Sequence, residues 1–202
     1  KFVDNVVAKY PDKKCKIYII HGDMTDEEMH GLYVHPKIKC LVSLTHGEGY
    51  GLPIFEAAYS GLPIIAPGWS GQCDYLYAPY LGEEKKKKKN KKKRMHPYFA
   101  EVDFTIGNVP REAVWKGVIE KDTMWCYPQE GSFKMRLRQV RNYYEKWEKK
   151  ANSIKEWILE NFKEDTIYEK YTNAINSCFE PTSDEDIDKL FNDIMSQSSE
   201  PE

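Results

Sequence analysis

Apolar and polar positions along the chain alternate in a way that predicts strands and helices in turn. Phe2-Val3-x-x-Val6-Val7 repeats at helical spacing, and Pro11-Asp12 closes that segment. Lys16-Ile17-Tyr18-Ile19-Ile20 is a short β-branched run, the pattern of a buried strand. At Thr25-Asp26-Glu27-Glu28 a helix is expected to begin, with Thr25 as cap and Glu28 three residues on to complete a capping box. Met29, Leu32 and Tyr33 supply its apolar stripe. Residues 38–44 predict a second strand. A glycine-rich turn follows from His46 to Gly51, then Leu52-Pro53 and an apolar helix through Ala58. Gly61-Leu62-Pro63 ends that helix, and Ile64-Ile65-Ala66 predicts a third strand.

The second half repeats the theme less regularly. Phe99-Ala100-Glu101-Val102-Asp103-Phe104 resumes an ordered pattern, and Pro110 precedes a short helix carrying Ala113, Val114 and Trp115. Ser132 is the expected cap of a long helix over 133–147, with further helical stretches at 151–162 and 166–175. Trp115 and Trp125 are expected in the core. Strand and helix lengths suit βαβ crossovers, so the expected fold is α/β: a Rossmann-like parallel sheet with helices on both faces and additional C-terminal helices. The pattern enters that architecture midway, and more strands are expected upstream of residue 16.

Composition adds limits. With 202 residues, 41% hydrophobic and 31% charged, the chain suits one soluble domain of roughly 150–200 residues. No apolar run approaches the ~20 residues of a membrane span, and the first residues lack a signal-peptide pattern. Cys15, Cys40, Cys73, Cys126 and Cys178 are odd in number and form no C-x-x-C pair, which predicts reduced thiols, a cytoplasmic setting and no metal site.

The net charge of −2 averages two opposed segments. Between Lys85 and Arg94 inclusive, nine of ten residues are basic, within an insertion at about 82–97. This is read as a solvated loop, with peripheral contact to an anionic membrane as the next use and nucleic acid disfavoured for want of interleaved aromatics. From Glu180 onward acids dominate, and 180–202 is read as a largely disordered tail to a domain over 1–179.

The stretch that carries chemistry is Thr45-His46-Gly47-Glu48-Gly49-Tyr50-Gly51-Leu52-Pro53-Ile54-Phe55-Glu56-Ala57-Ala58. It follows a predicted strand, at the strand's carboxyl end, where open α/β sheets bind ligands. Three alternating glycines let backbone approach a ligand closely. Pro53 suits a first helical turn, whose free N–H groups and positive dipole end attract an anion such as a pyrophosphate. Glu48 in the loop and Glu56 one turn into the helix bracket that end, and a carboxylate accepts paired hydrogen bonds from vicinal hydroxyls. His46 is read as a loop or supporting histidine, and Tyr50 as packing beneath the loop.

Glu48 and Glu56 have seven residues between them, and Glu48-Gly49-Tyr50-Gly51-Leu52-Pro53, Glu56-Ala57, Gly61, Pro63, Ile64 and Ile65 follow one after another. This segment resembles the E-x7-E signature of retaining GT-B glycosyltransferases, in their C-terminal, donor-binding domain. Trp69-Ser70-Gly71-Gln72-Cys73-Asp74 resembles the W-S-G-x-x-D form of the segment that follows. The likeness is good over 15–80 and looser over 99–178.

The resemblance implies transfer of a sugar from a UDP- or GDP-type nucleotide sugar to an unknown glycan, lipid or protein acceptor, with retention, no metal and no cofactor. It implies that Glu48, as the catalytic residue, faces the donor sugar, and that Gly49, Tyr50, Gly51 and Leu52 approach the sugar and diphosphate. Glu56 would hold the ribose hydroxyls, Met24 would meet the base through its main chain, and Ser70 and Gly71 would share the same edge. The family's diphosphate-binding cation and acceptor domain would lie before Lys1, so the chain alone is expected to bind donor weakly and transfer poorly. Two other readings stay open: a nucleotide-sugar epimerase of the same fold, and a non-catalytic nucleotide-sugar-binding module.

Overall fold

The computed structural model describes residues 2–81 and 94–178. The basic tract, apart from Arg94, and the acidic tail lie outside the described residues, together with the expectations attached to them.

Three short strands form a parallel sheet: β1 (Leu41–Val42), β2 (Ile64–Pro67) and β5 (Ala100–Val102), in the order β1–β2–β5. Leu41 pairs with Ile64 and Val42 with Ile65, while Ile65 faces Ala100 and Pro67 faces Val102. Every residue of β2 is buried, as expected of a central strand covered on both sides. Successive strand residues point to opposite faces, and the core divides accordingly. Ile64 and Ala66 join Tyr33, Ile54, Ala57, Leu76, Phe99, Ile154 and Ile158 in one cluster. Ile65 joins Ala100, Val102, Val140 and Trp147 in another. Burying one such isoleucine stabilises the fold by ~2–3 kcal/mol, so the Ile64-Ile65-Ala66 run ties both layers to one strand. The fold is α/β, with a small parallel sheet.

The helices among the described residues are α1 (Phe2–Ala8), α2 (Asp26–Tyr33), α3 (Leu52–Tyr59), α4 (Cys73–Leu76), α5 (Glu130–Asn142), α6 (Tyr144–Asn161) and α7 (Glu164–Ser177). The start of α2 matches its sequence signal. Thr25 Oγ1 accepts from Glu28 N–H and the Glu28 carboxylate accepts from Thr25 N–H, a complete capping box. Helix α6 serves both clusters, with Trp147 in one and Ile154 and Ile158 in the other.

Two small antiparallel pairs complete the picture. β3 (Tyr77–Ala78) pairs with β4 (His96–Pro97), so the end of the expected basic insertion belongs to a strand that brackets 82–93. β6 (Phe104–Asn108) pairs with β7 (Met124–Pro128).

Several expectations need correction. Residues 16–20 form no strand, and Ile17, Tyr18, Ile19 and Ile20 are 53–80% exposed. β propensity needs a partner edge, and none among the described residues pairs with this run. The second strand is only Leu41–Val42. Ser132 is not a cap but a buried residue inside α5, where its hydroxyl accepts from Asp103 N–H and ties the helix to the end of β5. The long helix breaks at Tyr143 between α5 and α6, so its predicted span of 133–147 belongs to two helices. Trp115 lies in a turn after a short 3-10 helix (Arg111–Ala113) and is 66% exposed, not in the core.

Candidate functional site

The turn from His46 to Gly51 leaves β1 at its carboxyl end and runs straight into α3. Gly51 takes the N-cap position with φ 79°, a left-handed conformation that an L side chain adopts only with strain. Its own side reinforces the requirement: a Cβ there would lie 3.0 Å from the Tyr75 hydroxyl and 3.4 Å from Glu48 Cβ. Because glycine caps the helix, no side chain occupies the capping site, and Pro53 follows in the first turn. Gly51 carbonyl accepts from the N–H groups of Ile54 and Phe55. The N–H groups of Gly49, Tyr50, Gly51 and Leu52 have no partner among the described residues. They make the anion-attracting end narrower than the sequence suggests: the loop and Leu52 carry it, since Pro53 has no donor and Ile54 is engaged.

A second loop, from β2 into α4, closes over the first. Ser70 Oγ accepts from Glu48 N–H at 3.1 Å and donates to Glu48 carbonyl at 2.5 Å. Gly71 N–H donates to the same carbonyl at 3.1 Å. Gly71 has room for no side chain, because a Cβ would fall within 2.7 Å of the Gly49 carbonyl carbon and 2.8 Å of Tyr50 Cα. From beneath, the buried Tyr75 hydroxyl donates to the carbonyls of Tyr50 and Gly51, 2.9 Å from each. Burial, with Tyr50 and Glu48 as the leading neighbours, pushes the Tyr75 hydroxyl far above the ordinary tyrosine range. That hydroxyl is a fixed donor at any ordinary pH.

Tyr50 stacks obliquely on Phe55 and Tyr75 with its ring centroid 5.4 and 5.1 Å away, and remains 37% exposed. His46 is held by the β6–β7 hairpin. Its Nδ1 lies 2.7 Å from Cys126 carbonyl, its carbonyl accepts from Cys126 N–H, and its ring stacks on Trp125 at 4.6 Å and 8°. A carbonyl only accepts, so Nδ1 carries the proton of that bond. Trp125 is therefore half-buried against His46 and serves the loop.

Glu48, Gly49, Tyr50, Gly51, Leu52, Ser70 and Gly71 thus come together at one sheet edge. Glu56 sits on the exposed side of α3 facing α2, where its carboxylate accepts from the Tyr33 hydroxyl at 3.1 Å. It lines a cleft of about 360 Å³ with Asp26, Met29, His30, Tyr33, Phe55, Tyr59 and Ser60. Glu48 is not among the residues that line that cleft. Met24 is half-buried just before the Thr25 cap, and does not line the cleft.

Sequence reasoning missed Tyr33, Tyr75, Trp125 and Gln72 as supports. Gln72 is fully buried, donates from Nε2 to Pro67 carbonyl, and holds the loop base. Only Gln72 had a local signal, its place inside Trp69-Ser70-Gly71-Gln72-Cys73-Asp74. The tyrosines read as ordinary core residues until helix packing brings their hydroxyls to the loops.

Comparison with known protein families, curated proteins and solved structures finds no match for this chain.

Proposed function

We propose that this chain binds a nucleotide sugar as the donor-binding part of a retaining glycosyltransferase of the GT-B type, the sheet being the second half of a Rossmann-like domain. The observation that carries the reading is the glycine-capped end of α3, with the N–H groups from Gly49 to Leu52 unpartnered among the described residues and a glutamate before and after it in the chain. A diphosphate is an anion that such an end attracts without a capping side chain in the way. A nucleotide sugar carries hydroxyls at both ends of its diphosphate, a ribose on one side and the donor sugar on the other. Glu56 takes the ribose and Glu48 the sugar. Backbone donors aimed at the diphosphate favour its departure as the sugar transfers, without a metal. Met24 is proposed as a main-chain contact to the base, and peripheral contact to an anionic membrane surface through Lys85 to Arg94 is the second reading of that tract.

Calorimetry of the chain with UDP, GDP and their sugars is the primary test, and weak binding is the expected result. A folded chain that binds none of them at millimolar concentration overturns the reading. Product analysis after incubation with nucleotide sugars and candidate acceptors then separates transferred sugar from epimerised sugar and from binding without turnover.

A further inference from the structure

We infer that Tyr33 is a positioning residue for Glu56: its hydroxyl fixes one carboxylate oxygen and turns the other toward the ligand's vicinal hydroxyls. This rests on the proposed role of Glu56 and deepens it.

Tyr33 is the last residue of α2 and only 8% exposed, with its ring packed in the core cluster that contains Ile54, Ala57 and Ala58 of α3. A ring locked among those residues has no freedom to follow a mobile partner. Glu56, in contrast, is exposed and carries three rotatable bonds. Ordering such a side chain on binding carries an entropic cost when nothing holds it beforehand. Among the described residues that line the cleft there is no Lys or Arg, and its one imidazole, His30, lies 3.3 Å from the Ser60 hydroxyl. The 3.1 Å bond from Tyr33 Oη to Glu56 Oε2 is the contact that selects one rotamer. A carboxylate has two oxygens and about four acceptor directions. With Oε2 engaged by the phenol, Oε1 and the remaining lone pairs stay available to a pair of adjacent hydroxyls. Preorganisation of this kind raises affinity by lowering the ordering cost of binding, with no new contact to the ligand.

The test compares ribose with 2′-deoxyribose, using UDP and dUDP, and GDP and dGDP, on the full chain. In the wild type, removal of the 2′-hydroxyl is expected to weaken binding about tenfold, the effect of ~1.4 kcal/mol. In Glu56→Gln that discrimination should largely vanish. Tyr33→Phe keeps the ring and removes only the hydroxyl, so its melting temperature should stay close to wild type while the ribose preference falls to about threefold or less. A purely structural role for Tyr33 would weaken both nucleotides of a pair alike and leave their ratio intact. Full discrimination in a folded Tyr33→Phe overturns the inference while leaving the Glu56 assignment standing. A wild type without discrimination, or a Glu56→Gln that retains it, overturns the Glu56 assignment and the inference with it. Should Tyr33→Phe unfold, Tyr33→Met gives the same comparison with a flexible apolar side chain that has no donor for Glu56.

Discussion

The Ser70 hydroxyl bridges both backbone groups of Glu48, accepting from its N–H and donating to its carbonyl. Ser70 does so from φ 73°, a left-handed conformation and the only positive φ outside glycine among the described residues. That conformation costs ~1 kcal/mol for a residue with a side chain, and it is tolerated where the hydroxyl closes the two loops on each other. Two substitutions separate strain from clamp. Ser70→Ala keeps the strain and loses both bonds, and should destabilise by ~1 kcal/mol. Ser70→Gly loses the bonds but relieves the backbone, so its stability should be nearly unchanged while nucleotide binding weakens. Chemical denaturation of both variants checks this, and equal losses would remove strain from the account.

Gly49 and Gly71 make opposite predictions although both are small residues of the same site. A Cβ on Gly71 collides with the backbone of Gly49 and Tyr50, so Gly71→Ala must push the two loops apart. It should cost ~2 kcal/mol or more, in the range of overpacked sites. A Cβ on Gly49 meets nothing within 4 Å. Gly49→Ala should therefore melt like wild type, yet bind UDP or GDP at least several-fold more weakly if a ligand approaches that backbone. Unchanged affinity in Gly49→Ala would falsify the close approach.

Alkaline pH should unfold the protein in a defined window. Burial raises the hydroxyls of Tyr33, Tyr75 and Tyr77 above the ordinary tyrosine range, with Tyr33 pushed up to about 12 and Glu56 adding to it. In the unfolded chain these groups ionise near the ordinary value of ~10. Each raised value favours the fold fully below that pH, and its contribution is lost as pH rises beyond ~10, for Tyr33 through about 12. Absorbance at 295 nm should show most of the fourteen tyrosines ionising first and a late group ionising with the loss of tertiary structure. Simple titration of all of them near pH 10, with the fold intact, would contradict the packing.

Thiol reactivity offers an independent check of the same layer. Cys73 opens α4 behind the second loop, and its thiol is pushed up to about 11, by burial first and then by Glu101 and Asp74. The thiolate is the reacting form. At pH 8 iodoacetamide should alkylate the exposed Cys15 and Cys178 well before Cys73. Mass spectrometry of a short time course reads the order, and early labelling of Cys73 would mean that the loops open readily.

Local signals were sufficient for some elements. The Thr25–Glu28 capping box, the glycine at the start of α3 and the buried Ile64-Ile65-Ala66 strand all rest on interactions within a few residues or on a period that a sequence displays directly. Where a partner elsewhere in the chain decides the outcome, the sequence was silent or misleading. The run 16–20 has every property of a strand except an edge to pair with among the described residues, Ser132 has the chemistry of a cap but binds Asp103 N–H from inside a helix, and Trp115 has core composition without cover.

The linear order of residues by itself determined that a glycine-rich turn flanked by Glu48 and Glu56 leads into an apolar helix beside a parallel strand, because glycine geometry, proline and short-range periodicity are local physics. Tertiary structure alone decided how that turn is held. Tyr75 reaches it from α4, Ser70 and Gly71 from the loop after β2, Cys126 and Trp125 from a distant hairpin, and Tyr33 grips Glu56 from α2. Hydrogen bonds and ring contacts between segments up to 80 residues apart depend on how helices and strands pack, and no spacing along the chain encodes them.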